Sequence, residues 1–449
     1  MISTSGLHID QAPPLHIPFR FFATAPLFIA CAGVVVFGWG PDLWQFPLSP
    51  QTIALAHLAV LGWISMVMFG AMYQMIPVLA GLPMPWLRLA PWVHAGLIIG
   101  VITFFLEIGF GLHRWLLLVA SAGLGIALGF FILQTGRALV KTTVRHPTVH
   151  AMRIALLSLS GVLILGAIFL GEYAHGFLNV DRETLLGMHL VWGLLGWMGT
   201  LIIGVSMQVL PMFYVMPMFP VAVGNKILVG LGTTLIALPA ALWFAAGQPV
   251  WVWLTALPAG VAIVYYALAM KRIFAARKRK IADVTYQFWL VGLGCGGISL
   301  LLPIIWPITD AERWRFLFAV IFLWGGVSSI IFGMLYKIVP FLVWFHRFSR
   351  LAGLVPNLPM MDDLLPERTT RIHFVTHCAT ILLLVTGINS SFPLALSVAG
   401  LGMILSGGLL AHAIYAATSH KAPPAPDVPD FNSFFKDFSN PEHPTGPSG

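Results

Sequence analysis

Histidines 57 and 189 stand apart in this 449-residue chain. His57 opens the run HLAVLGWISMVMFGAMYQMIP, and His189 lies in MHLVWGLLGWMGTLIIGVSMQVLP. Each is the only ionisable side chain of a stretch long enough to cross a bilayer. Ionisable groups inside lipid are costly and mark functional sites, and an imidazole can ligate a metal or carry a proton. Gly193, Gly196, Thr200 and Met207 follow His189 at spacings of 4, 7, 11 and 18, which stack on one face of an α-helix. Small residues beneath a histidine leave room for a flat macrocycle. Met68 and Met75 lie 11 and 18 residues beyond His57, and a thioether is a ligand for soft metals. The expected cofactor-binding residues are therefore His57, His189, Gly193, Gly196, Met68 and Met207, with the two histidines either sharing one centre or each serving a separate one opposite a Met or an open position. The competing reading is ordinary packing, with glycines at a close helix crossing and methionines filling the core.

Other constellations are smaller. His373 and His377 share one helical face at i, i+4 and are candidate metal ligands, although the glutamate of an HExxH site is absent. Glu107, Glu172, Asp181 and Glu183 cluster with His113 and His175 near one membrane boundary, where a solvated rim is the simplest role. Cys31, Cys295 and Cys378 fall in apolar runs, so buried thiols are expected rather than disulfides. The sequence has no phosphate loop, nucleophile triad or dinucleotide fingerprint.

The elements that must position these residues are membrane helices. Hydrophobic residues make up 58% of the chain and charged residues 9%, a balance far from that of soluble domains. Twelve apolar runs read as spans, over 19–40, 51–79, 92–112, 115–139, 152–176, 185–213, 226–247, 250–272, 284–306, 315–345, 371–391 and 394–417. The fold class is an all-α polytopic membrane protein. A motif recurs within it. Gly62-Trp63, Gly70, Tyr73-Gln74 and Pro77 return 134 positions later as Gly196-Trp197, Gly204, Met207-Gln208 and Pro211. They return more loosely as Gly325-Gly326, Gly333, Tyr336-Lys337 and Pro340. The motif falls on the second, sixth and tenth spans, which predicts three four-helix repeats over about 19–150, 151–280 and 281–417. Residues 1–18 read as an N-terminal cytoplasmic segment and 418–449, rich in proline, as a disordered cytoplasmic tail.

The net charge of +8 does not point to nucleic acid, because the basic residues occupy short loops between apolar runs. Of the 24 lysines and arginines, only Arg114, Arg182, Arg313 and Arg315 fall on the side opposite the termini. This bias puts both termini in the cytoplasm of a bacterial-type inner membrane. His57 and His189 then lie about 10 Å below the outer surface, at 1.5 Å per residue.

Twelve spans in three units, with a histidine near the outer end of the second, resemble the catalytic subunit of haem–copper oxidases and nitric oxide reductases. PFLVWFHRFS (340–349) is similar to a stretch of that superfamily. FRFF (19–22) and the run around His189 resemble the NnrS family of haem- and copper-associated membrane proteins, which are linked to relief of nitrosative stress. The resemblance implies haem, with copper as a further metal, and His57 as a haem ligand, with His189 a looser correspondence. It also implies an electron donor or respiratory-complex partner and a small gas such as nitric oxide. The departures are specific. Phe318 and Val320 occupy the positions on the tenth span that match the two histidines, and the seventh span lacks the adjacent histidine pair of the copper site. Oxygen reduction of the oxidase kind is therefore not expected. Three functions remain open: a haem-binding redox protein handling nitric oxide or supporting respiration, a transporter or metal-handling protein without haem, and a structural subunit of a larger complex.

Overall fold

The computed structural model describes residues 8–176, 181–278, 283–309, 311–390 and 392–423. Twelve helices in it are long and apolar enough to cross a membrane. They are α1 (His16–Trp44), α2 (Pro50–Ala80), α3 (Leu87–Phe110), α4 (Trp115–Lys141), α5 (Pro147–His175), α6 (Arg182–Tyr214), α7 (Val221–Phe244), α8 (Pro249–Ala275), α9 (Val284–Ile305), α10 (Arg313–Arg347), α11 (Glu367–Ser390) and α12 (Pro393–Ser419). All twelve runs expected from the sequence are helical, so the chain is a multi-pass protein whose solvent is the lipid bilayer. The expected tail beyond residue 423, and Arg279 and Lys280 of the basic run, lie outside the described residues.

Helix starts follow local chemistry. Proline, which needs no partner for a missing N–H, stands at the first turn of α2, α5, α8 and α12. Ser49, Asp181 and Asp283 cap α2, α6 and α9 by accepting backbone N–H groups. At the opposite ends of α3 and α5, Gly111 and Gly176 take left-handed conformations, φ 63° and 62°, and donate to the carbonyls of Glu107 and Glu172.

α2 and α10 are the most deeply placed helices, with 67% and 72% of their apolar stretches buried, against 17% for α8. With α6 they share a feature no other helix has among the described residues: a π-helical segment, over Leu58–Ser65, Val191–Gly199 and Val320–Ser328. Such wide turns collect at functional sites. Here they also carry the contacts between the inner helices. The indole of Trp63 on α2 donates to Ser328 Oγ on α10 at 2.9 Å, and that of Trp197 on α6 donates to Ser65 Oγ on α2 at 3.0 Å. All four residues are buried. The corresponding donor and acceptor positions between α10 and α6 are both glycine, Gly326 and Gly199.

The recurring glycines admit the preceding helix. A side chain at Gly70 would meet Phe21, Phe22 and Pro18 of α1; at Gly204, Ala151 of α5; at Gly333, Phe288, Thr285 and Trp289 of α9. Eight residues earlier, Gly62 and Gly196 do the same against Phe28 and Ser158. The third helix of the set differs in detail, since Gly325 faces Cys295 of α9. Lys337 on α10 pairs with Asp283 at 2.7 Å and Asp362 at 3.5 Å, and its ammonium lies 5.9 Å from the Tyr214 ring. The thiols depart from expectation: Cys31 is exposed on the outer surface of the bundle, and Cys295 and Cys378 are half-buried.

Candidate functional site

Each histidine of the pair lies eight residues beyond the cap of its helix, His57 after Ser49 and His189 after Asp181. Equal distance from the cap sets equal depth. The two-residue difference from the 134-residue motif offset falls between each histidine and its Gly-Trp pair, where the π turns lie. The two rings consequently meet, with centroids 6.3 Å apart and planes inclined by 34°.

Hydrogen bonding fixes the state of one ring. His57 Nδ1 lies 2.8 Å from the Ile53 carbonyl. A carbonyl only accepts, so Nδ1 carries the proton and Nε2 is left as a bare lone pair. This is the arrangement of a ligating histidine, whose second nitrogen is held by a backbone carbonyl or carboxylate. His189 Nδ1 is buried and has no hydrogen-bond partner among the described residues. Phenylalanines enclose the pair: Phe104 of α3 lies 4.6 Å from His57, and Phe169 of α5 lies 5.8 Å from His189. Gly166, one turn before Phe169, leaves the His189 ring room at its Cε1 edge.

The acidic rim continues the same two helices. Glu107 and Glu172 each follow the enclosing phenylalanine by three residues. Glu107 is buried and accepts from the His113 backbone N–H at 2.8 Å, while Glu172 pairs with Arg182 at 3.3 Å. Asp181 caps α6; hydrogen bonds from the Thr184 hydroxyl and the Glu183 N–H hold its carboxyl below the usual range. The phenylalanines were not singled out from the sequence, although a shared Phe-x-x-Glu on two helices was a readable signal.

The remaining candidates lie elsewhere. Gly196 packs against Ser158 of α5 and Leu235 of α7, and Gly193 touches Val162 of α5. Both make helix–helix contacts rather than a floor beneath His189. Met68 and Met207 are buried in two separate apolar clusters. His373 and His377 are fully buried on α11, in a box of Phe288, Phe332 and Trp324. Tyr336 and Ser329 of α10 engage them: the tyrosine hydroxyl is 2.6 Å from His373 Nδ1, and Ser329 Oγ is 2.7 Å from His377 Nε2. Ser329 spends its proton on the Gly325 carbonyl, so His377 donates from Nε2. These two bonds clamp α10 to α11, and leave His373 Nε2 and His377 Nδ1 buried without partners. His94 is likewise engaged, 2.9 Å from Thr24 Oγ1.

Among the described residues, no three His, Cys, Asp or Glu side chains converge on one point as a metal cage would require. A protein-only site for zinc takes three or four such ligands. Haem needs only axial ligands, because the macrocycle fills the other positions. His57 and His189 offer two imidazoles with ring centroids 6.3 Å apart, the type of donor that such a group would take from the protein. No protein-family model matches the chain, and no curated protein matches it either.

Proposed function

We propose that this protein is a membrane-embedded haem-binding redox protein, with His57 and His189 as the residues that would hold the haem. The observation that carries the reading is the meeting of the two rings at 6.3 Å, one with its tautomer set by Ile53 and its Nε2 free. We further propose three four-helix units on a scaffold like that of the haem–copper oxidase catalytic subunit, with termini in the cytoplasm of a bacterial-type inner membrane. The three π segments, and the glycines that admit α1, α5 and α9, support the repeat. The basic bias supports the orientation.

Bound haem would supply one-electron chemistry. Around it the chain does the rest. The Ile53 carbonyl orients His57 and fixes its tautomer. Phe104 and Phe169 pack on the pair, and the low polarity they bring would tune the potential of a bound haem. With both imidazoles engaged, His57 and His189 would hold the group for electron transfer in a respiratory membrane rather than for binding a gas such as nitric oxide.

The test is the absorption spectrum of the purified protein and of two variants. Wild type should show a low-spin Soret band; His57→Ala and His189→Ala should each change it, with exogenous imidazole restoring it. Protein that inserts normally but contains neither haem nor metal under any growth condition refutes the proposal and leaves the transporter reading in its place.

A further inference from the structure

At the face where α1 begins and α12 ends, a cleft of about 480 Å³ lies between the ends of α10 and α12. Arg347 and Lys421 supply its charge, and no carboxylate lines it among the described residues. A second, mainly apolar groove of about 190 Å³ runs from it into the membrane, lined by Phe19 and Ala23 of α1 and by Ala411 and Ile414 of α12. Tyr415 and Thr418 line both, so cleft and groove are continuous.

From these features we infer a binding site for one anionic phospholipid of the leaflet at that face. Its phosphodiester would lie between Arg347 and Lys421, and one acyl chain along the groove. The order of chemistry matches the order of depth: cations at the boundary, then an exposed tyrosine, then aliphatic and aromatic side chains. From Thr418 to Ala411 the groove descends about 10 Å at 1.5 Å per residue, which takes the upper part of a chain.

One effect opposes this assignment. α12 ends at the cleft, and a helix C-terminus carries about half a negative charge. Arg347 cancels it locally, because one guanidinium nitrogen donates to the carbonyls of Thr418 and His420 at 2.5 and 2.6 Å. A guanidinium has five N–H donors, so others remain for a phosphate. The hydroxyls of Thr418 and Ser419 spend their protons on their own helix. Selectivity for an anionic head therefore rests on Arg347 and Lys421. The apolar groove selects a lipid over a free anion.

The full-length protein in detergent, titrated with phosphatidylglycerol or phosphatidylcholine of matched chains and read by native mass spectrometry, tests the site. Wild type should retain phosphatidylglycerol in preference. Lys421→Gln should weaken that binding about fivefold at low salt, the factor carried by one basic residue at an anionic membrane surface. Lys226→Gln, a cation at the start of α7 on the same face, should leave it unchanged. Ala411→Trp, which fills the groove, should weaken both lipids. Equal retention of the two lipids by wild type overturns the inference. So does equal loss in the Lys421 and Lys226 variants, which would mean diffuse attraction. Displacement of the lipid by equimolar glycerol phosphate would reduce the site to one for free anions and overturn it as well.

Discussion

Removing the Trp63 indole N–H and the Ser328 hydroxyl, singly and together, measures how the inner helices hold one another. The bond is 2.9 Å long, between residues 2% and 1% exposed, and Trp63 also stacks on Phe332 at 5.0 Å. Ser328 donates its own proton to the Leu323 carbonyl, so a lone pair is what it offers the indole. Ser328→Ala strands the indole N–H in an apolar core, a cost of about 1–3 kcal/mol. Trp63→Phe keeps an aromatic ring against Phe332 but removes the donor and leaves a void. In the double variant the stranded donor is gone, so the loss should be smaller than the sum of the singles. Couplings between hydrogen-bonded residues in membranes average about 0.6 kcal/mol and reach about 1.7 kcal/mol. The upper half of that range is expected here, given full burial and good length. Reversible unfolding in mixed micelles, followed by far-ultraviolet circular dichroism for all four proteins, gives the number. Additivity within about 0.3 kcal/mol, the scatter of independent sites, would refute the claim that this bond joins α2 to α10.

Two further outcomes are expected. The first concerns acid. Burial, and then the nearby charge of His150, hold the His146 pKa below its ordinary value. Its Nδ1 accepts the Thr148 N–H that starts α5, which a protonated ring cannot do. A depressed histidine disfavours proton uptake in the folded state, so stability should hold above about pH 6.5 and fall as pH drops below it. His146→Asn, which caps without titrating, should flatten that slope in detergent-unfolding curves; an unchanged slope removes the assignment. The second concerns orientation. Reporter fusions at Gln248 and Arg277 should read opposite faces, with Arg277 cytoplasmic, and the same face for both would break the twelve-span topology.

The spans were legible because lipid demands long unbroken apolar helices, and the chain offers twelve. The histidine pair was legible for a related reason, since similar depth follows from position along a helix. The face beneath His189 was not. Gly193 and Gly196 were placed with 3.6 residues per turn, but both lie in the π segment Val191–Gly199. There each turn closes from i to i+5 and the faces shift. The α-helical wheel therefore misassigned them, and they meet Val162, Ser158 and Leu235 instead. His373 and His377 were seen to share a face, yet nothing local to α11 could show that Tyr336 and Ser329 of α10 already engage them. Trp63 and Trp197 stood out in the motif, while their serine partners 265 and 132 residues away did not.

The two tryptophan–serine bonds also set an order in time. Both include α2, but the bond between Trp197 and Ser65 needs only the first six spans, whereas Trp63 must wait for Ser328. Translation at about 5–20 residues per second separates Trp197 from Ser328 by roughly 7 to 26 s. The α2–α6 bond can therefore form before α10 exists, whereas the α2–α10 bond can close only once the tenth span has been made.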